Sequence, residues 1–200
     1  TLQFDLSIPA DGTISWIDDI PASWLPFDPD DMTVEGGQTV YRTEQTVTIE
    51  AGQTYSFADT FQVENPHLWN GLSDPFRYLG TLRVLCDGEE TDAVSDYIGF
   101  RSFAVDADEG ASLNGKPYNL RGVSRHQDRE GMANALTVKE HNQDFSMIYD
   151  MGCNAGRLAH YPQADYFYEL CDQYGVLVWA EIPFVNDIGG EGSYEAPDET

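Results

Sequence analysis

Apolar and polar positions alternate through the first hundred residues of the chain. Leu2, Phe4, Leu6 and Ile8 alternate with polar neighbours, and a period of two predicts a strand with one buried face. Val47 and Ile49, then Tyr55 and Phe57, repeat the pattern. Tyr78 to Cys86 and Ser95 to Val105 are expected as further strands. Ala10-Asp11-Gly12, Glu50-Ala51-Gly52 and Cys86-Asp87-Gly88 supply turns between such runs. Many short strands joined by turns predict a β-sandwich over residues 1–104. The stretch 20–37, with three prolines and several acids, reads as a long loop.

Near Asp106 the pattern changes. Residues 106–110 read as a linker, and Leu113-Asn114-Gly115-Lys116 as a hairpin turn, since Asn-Gly readily takes the positive φ angles of a two-residue loop. Tyr118 to Val123 is expected as a strand. Thr137 and Glu140 then form a capping box ahead of a helix whose Phe145, Ile148 and Met151 share a face and whose stop is Gly152. A strand follows at Asn154 to Ala159. Next comes a helix over Ala164 to Tyr174, with Phe167, Cys171 and Tyr174 on one side and Gly175 as its stop. Val176 to Ile182 is a nearly continuous apolar run, the pattern of a strand buried on both faces. Residues 105–188 therefore read β-α-β-α-β, which implies a parallel sheet with right-handed crossovers. No Gly-rich phosphate loop follows the first of these strands; Arg125, His126, Gln127, Asp128 and Arg129 stand there instead. That favours a TIM (β/α)8 barrel over a doubly wound sheet. A barrel needs eight strands and about 250 residues, so this is the first three β/α units of an incomplete one. Residues 189–200 have no apolar periodicity and are expected to form a disordered tail.

Charge narrows the partners. Ten Lys and Arg stand against 35 Asp and Glu, a net charge of −25. Such a surface repels nucleic acid and anionic membranes, and neither is expected as a partner. No run approaches the roughly 20 apolar residues of a membrane helix. The chain opens on Thr-Leu-Gln and reads as an excised segment, so the missing leader carries no information. Cys86, Cys153 and Cys171 fit neither a disulfide framework nor a zinc pattern. They are expected as buried thiols, compatible with a reducing, cytoplasmic compartment.

The candidate chemistry lies at strand ends, where a parallel barrel places it. His126 follows the first barrel strand, and its imidazole can donate to a sugar hydroxyl or steady a developing charge. Arg125 and Arg129 beside it are expected to tie down acids structurally. Arg157 lies inside the second strand and requires an anionic partner, expected from another strand. An active-site carboxylate and a purely structural one both satisfy that rule. His160 and Tyr161 end the strand before Pro162. Glu181, in the apolar Trp179-Ala180-Glu181-Ile182-Pro183, has to be paired, hydrogen-bonded or neutralised. Trp179 is read as packing in the barrel wall rather than as a sugar-stacking surface. Zinc, phosphate-loop and nucleophile-elbow motifs are absent.

These residues resemble glycoside hydrolase family 2, and its β-galactosidases most closely. The resemblance runs through Asn65-Pro-His-Leu-Trp69, Pro75-Phe-Arg-Tyr78, Gly99-Phe-Arg101, Leu113-Asn-Gly-Lys116 and Gly122-Val-Ser-Arg-His-Gln-Asp128. It continues through Asn154 to Pro162, Phe167 to Gly175 and Trp179 to Pro183. It implies an immunoglobulin-like sandwich followed by a TIM barrel that hydrolyses terminal non-reducing β-galactosides with retention. It also implies that His126 and His160 line the sugar subsite, that Arg157 pairs with the nucleophilic carboxylate and that Glu181 stands nearby. Both catalytic carboxylates of the family come from later barrel strands, so no catalytic residue is expected in this chain, which alone is expected to be inactive. Gln127 departs from relatives that carry an acid there. No metal ligands or cofactor are expected in this chain, although the resemblance allows magnesium in a full-length parent. A carbohydrate is the expected partner of that parent. β-Glucuronidase and β-mannosidase of the same family are the alternatives. A different class of reading is a non-catalytic binding or structural module. Unpaired strand edges seek partners, so a homo-oligomer is one further expectation.

Overall fold

The computed structural model describes residues 1–8 and 38–183. The expected loop at 20–37 and tail at 189–200 lie outside the described residues.

Four strands, β1 (Leu2–Ser7), β2 (Thr39–Gln45), β3 (Tyr78–Cys86) and β4 (Glu89–Ile98), form an antiparallel sheet in the order β2-β1-β3-β4. Register places Phe4 opposite both Thr43 and Leu82. With Phe57, Asp59 and Phe61 these residues line a cavity of about 210 Å³ on one face. Asp5 points the other way and is held by Arg42 and, at 2.8 Å, by Arg83. A two-faced strand thus packs half-buried aromatic rings on one side and buries a compensated carboxylate on the other.

Several expectations for the first part need correction. Val47, Ile49, Tyr55 and Phe57 lie outside any strand. Gln45 already pairs with Leu2 at the start of β1, so the chain beyond it has run past its ladder partner. The single strand expected over 95–105 is two, β4 and β5 (Phe103–Asp106), because the backbone between them bonds elsewhere. Phe100 O accepts from Trp69 N at 2.9 Å, and Ser102 exchanges bonds with Asn114. Residues 106–110 are no linker. They turn β5 into β6 (Gly110–Leu113), with Asp106 Oδ1 accepting from the amides of Asp108 and Glu109. The Asn114-Gly115 hairpin does form, both residues at positive φ, and leads into β7 (Lys116–Pro117).

The β/α part holds β8 (Gly122–Arg125), α1 (Val138–Asp150), β9 (Ala155–Leu158), α2 (Asp165–Tyr174) and β10 (Leu177–Ala180). The strands are parallel with β9 in the centre. Glu140 accepts from the Thr137 amide and hydroxyl, so α1 starts at the expected capping box. Phe145 and Ile148 of α1 and Phe167, Leu170, Cys171 and Tyr174 of α2 pack with Leu158 and Val176 into one core. Met151 is exposed instead of sharing that face, because it stands at the C-cap where α1 ends. Cys86 is also exposed, as the last residue of β3 before the Asp87-Gly88 turn, whereas Cys153 and Cys171 are buried. The β10 strand is not buried on both faces. It is an edge strand of the three, and Trp179 is 68% exposed rather than packed in a wall.

The two parts meet at Trp69, which is 2% exposed. Its indole Nε1 donates to the carbonyl of Asp172 on α2 at 2.7 Å, and Arg101 lies over its ring. Arg77 of the loop before β3 pairs with Glu169 of α2 at 3.2 Å.

Candidate active site

Strand alternation sorts the polar residues of β8–β10 into two groups. Leu158 and Val178 face the helices and belong to their core. Arg157, one position from Leu158, therefore faces the opposite side, and the parallel register aligns it with Ser124 of β8 and Trp179 of β10. His126 is two residues beyond Ser124 and Glu181 two beyond Trp179. All five sit at or just past the C-terminal ends of the strands, on the face without helices. Arg125 has the opposite parity and turns to the helix side.

On the helix-free face the groups converge. Arg157 donates from Nε to Glu181 Oε1 at 2.6 Å and from Nη2 to Oε2 at 3.0 Å. This two-pronged pairing is the strong geometry for a guanidinium and a carboxylate. Arg157 Nη1 reaches Ser124 Oγ at 3.3 Å. His160 Nδ1 lies 3.3 Å from Arg157 Nη2 and 3.4 Å from Glu181 Oε2. The His126 and His160 rings meet edge to face, centroids 5.0 Å apart. Hydrogen bonding from Arg157 holds the Glu181 carboxyl below its ordinary range, with partial burial opposing. The anionic partner required by Arg157 is thus Glu181, from the next strand. His126, Arg157, His160 and Glu181, chosen from sequence, form one cluster. Trp179 flanks it with an exposed ring.

On the helix face Arg125 is 6% exposed. It donates to Asp144 Oδ2 through Nε and Nη2, at 3.0 and 2.8 Å, and lies over the Phe167 ring. Its Nη2 also reaches His141 Nδ1 at 3.1 Å. Burial and then the Arg125 charge push His141 below its ordinary pKa, which fits a neutral ring accepting through Nδ1. Arg129 takes the other oxygen of Asp144 at 2.8 Å. Both flanking arginines tie down an acid, as expected. Asp144, His141 and Gln163 are the residues that sequence reasoning missed. Asp144 had a signal, a carboxylate beside Phe145 on the inward stripe of α1. Gln163 had none locally.

The amide of Gln127 has a use at this position. Its Oε1 accepts from Ala164 N at 2.6 Å while its Nε2 donates to Asn134 O at 3.3 Å. A carboxylate could make the first bond and would repel the second acceptor. Among the described residues no group of three His, Cys, Asp or Glu side chains could hold a metal ion.

Comparison with known proteins agrees with the arrangement of strands and helices. Residues 30–101 match the profile of glycosyl hydrolases family 2, and residues 105–191 match that family's TIM barrel domain. The chain belongs to glycoside hydrolase family 2. Its first part is the family's sandwich domain and its second the start of the family's TIM barrel. The chain is 40% identical over 163 residues to a β-glucuronidase of Bacteroides fragilis, covering 82% of this chain and 23% of that protein. It is 30% identical over 145 residues to the β-galactosidase BoGH2A of Bacteroides ovatus, covering 72% of this chain and 17% of the relative. The crystal structure of a β-glucuronidase from Bacteroides uniformis superposes with a TM-score of 0.70 at 34% identity, over 96% of this chain and 20% of that one. The chain thus spans less than a quarter of the length of these relatives.

Proposed function

We propose that this chain supplies the sandwich and the first barrel segment of a retaining β-glycosidase, and that the sugar it helps hold is a terminal β-galactoside. One observation carries the reading: two imidazoles and an Arg–Glu pair converge at the strand ends on the helix-free face. Retention requires two carboxyls about 5 to 5.5 Å apart, one as nucleophile and one as acid/base. Among the described residues Glu181 is the carboxylate in this cluster, and both its oxygens are taken by Arg157. In this reading the cluster binds and orients the sugar, and the reacting carboxyls come from residues outside it. The 200-residue chain alone is then inactive.

The neutral sugar is supported by charge. Arg157, the guanidinium of the cluster, is balanced by Glu181, while Arg125 and Arg129 share Asp144 on the helix face, away from it. A cluster of one paired guanidinium and two imidazoles suits hydroxyl groups better than a sugar carboxylate, which calls for an uncompensated cation. The relatives named β-glucuronidase favour a second reading, a β-glucuronide. Rates on p-nitrophenyl β-galactoside, β-glucuronide and β-mannoside, measured with a full-length protein containing this chain, decide between them. We expect kcat/KM at least tenfold higher for the galactoside. A preference for the glucuronide overturns the choice of sugar, and no turnover of any β-glycoside overturns the glycosidase reading. Turnover by the 200-residue chain itself, abolished in His160→Ala, overturns the placement of the reacting carboxyls outside it.

A further inference from the structure

Gln163 is 6% exposed, and every polar atom of its side chain is engaged. Its Nε2 donates to the carbonyl of Arg125 at 2.9 Å and to the carbonyl of Ala159 at 3.2 Å. Its Oε1 accepts from Arg125 Nη1. The two carbonyls belong to the peptide groups that lead into His126 and His160. They also mark the place where the β8–β9 ladder stops: the last paired residues are Arg125 and Leu158, and Ala159 N still donates to Arg125 O at 3.0 Å. Beyond that point no further strand pairing joins the two segments. The carboxamide of Gln163 takes the position of one more rung and ties the two peptide groups together.

We propose that Gln163 is a positioning residue that sets the separation of His126 and His160 by clamping the peptide groups from which both imidazoles project. Gln163 lies on the helix side, with Arg125, and its hydrogen bonds go to Arg125, Ala159 and Tyr168 rather than to a ring of the cluster. It acts through the backbone. An amide is required: the nitrogen must bridge two carbonyls while the oxygen faces a guanidinium. Glutamate keeps the shape and the bond to Arg125 and sets an acceptor against two acceptors. A residue serving only to pair Arg125 would be served at least as well by glutamate. A clamp would be broken by it.

That difference makes the test. The histidine ring protons of the chain are assigned by NMR in wild type, Gln163→Glu and Gln163→Leu. The wild type should show a cross-peak between the His126 and His160 rings, at least fivefold weaker in both variants while the amide resonances of α1 and α2 are kept. Unchanged cross-peaks in Gln163→Glu overturn the proposal. A measurement on the wild type alone serves where the variants fail to fold. The Gln163 side-chain amide protons, buried against two carbonyls, should exchange at least 100-fold more slowly than those of the exposed Gln53, and equal exchange overturns the clamp. In the full-length protein Gln163→Glu should lower kcat on the best β-glycoside 10- to 100-fold with KM changing less than threefold, since an ångström of misplacement costs about that much. A larger rise in KM than fall in kcat overturns the positioning role. This kinetic arm rests on the glycosidase reading and the NMR arms do not, so a weakened cross-peak in a protein without glycosidase activity would sink that reading and leave the clamp standing.

Discussion

At the scale of single residues, the site is governed by where a side chain falls in the two-residue period of its strand. Arg125 and His126 are neighbours, yet one is buried against helices and the other joins the exposed cluster. Residue type alone named both, and parity separates their roles. Glu181 shows what parity and charge do together. Its folded pKa is held below the ordinary 4.5 by the hydrogen bond from Arg157. A carboxylate with a depressed folded pKa contributes stability that is present above its unfolded pKa and is lost as pH falls through the folded value. Thermal unfolding of wild type and Glu181→Gln should therefore differ most near neutral pH, with the gap closing as pH falls below the ordinary 4.5 toward the lowered folded value. In Arg157→Ala, carboxyl NMR should find Glu181 titrating back toward 4.5. A gap that widens on acidification would show that the ion pair does not hold Glu181 as described.

At the scale of elements, most of the β/α part was legible because its signals are local. The Thr137–Glu140 box, the Phe145–Ile148 stripe and Gly175 each fix an end or a face through neighbours in sequence. The strands of the first part were less legible. Val47 and Ile49 alternate as a strand does, but extended backbone needs a ladder partner, and β1 has ended there. The exposed Trp179 was misread for a related reason: burial of a strand depends on neighbours that its own residues do not encode. The Arg125–Asp144 pair is the same kind of long-range fact and can be tested as one. Asp144→Asn removes the carboxylate from a 6% exposed guanidinium and from Arg129 together. Stranding a buried charge costs about 3 kcal/mol, and urea unfolding should register that loss. Arg129→Ala, which removes only the more exposed partner, should cost less than about 1 kcal/mol. Equal losses would mean that Asp144 serves the surface arginine rather than the buried one.

At the scale of the whole molecule, the sandwich and the barrel start are joined where two backbones come into contact without side chains between them. Gly71, in a 3-10 turn after Trp69, and Gly175, at the end of α2, both have positive φ. A Cβ on Gly175 would stand 2.2 Å from the Gly71 carbonyl group, and one on Gly71 would stand 2.3 Å from the Tyr118 hydroxyl. Trp69 and Arg77 fasten the same place to α2 through Asp172 O and Glu169. The seam lies at the entry to the strand that leads to Glu181: Gly175 is followed directly by Val176 and β10. Gly115 supplies the control. It also has positive φ, at 72°, but a Cβ there would meet nothing within 4 Å. Alanine at Gly115 should cost about 1 kcal/mol, the strain of a left-handed residue alone. Alanine at Gly175 adds an overlap with backbone atoms that no rotamer change can relieve, and should cost at least ~3 kcal/mol. It should also loosen the seam, so that with Trp16, Trp24 and Trp179 replaced by Phe, where fluorescence reports Trp69 alone, unfolding followed by fluorescence precedes unfolding followed by the helical circular dichroism of α1 and α2. Coincident transitions with equal losses for the two substitutions would mean that the sandwich and the barrel start are not held together through these glycines.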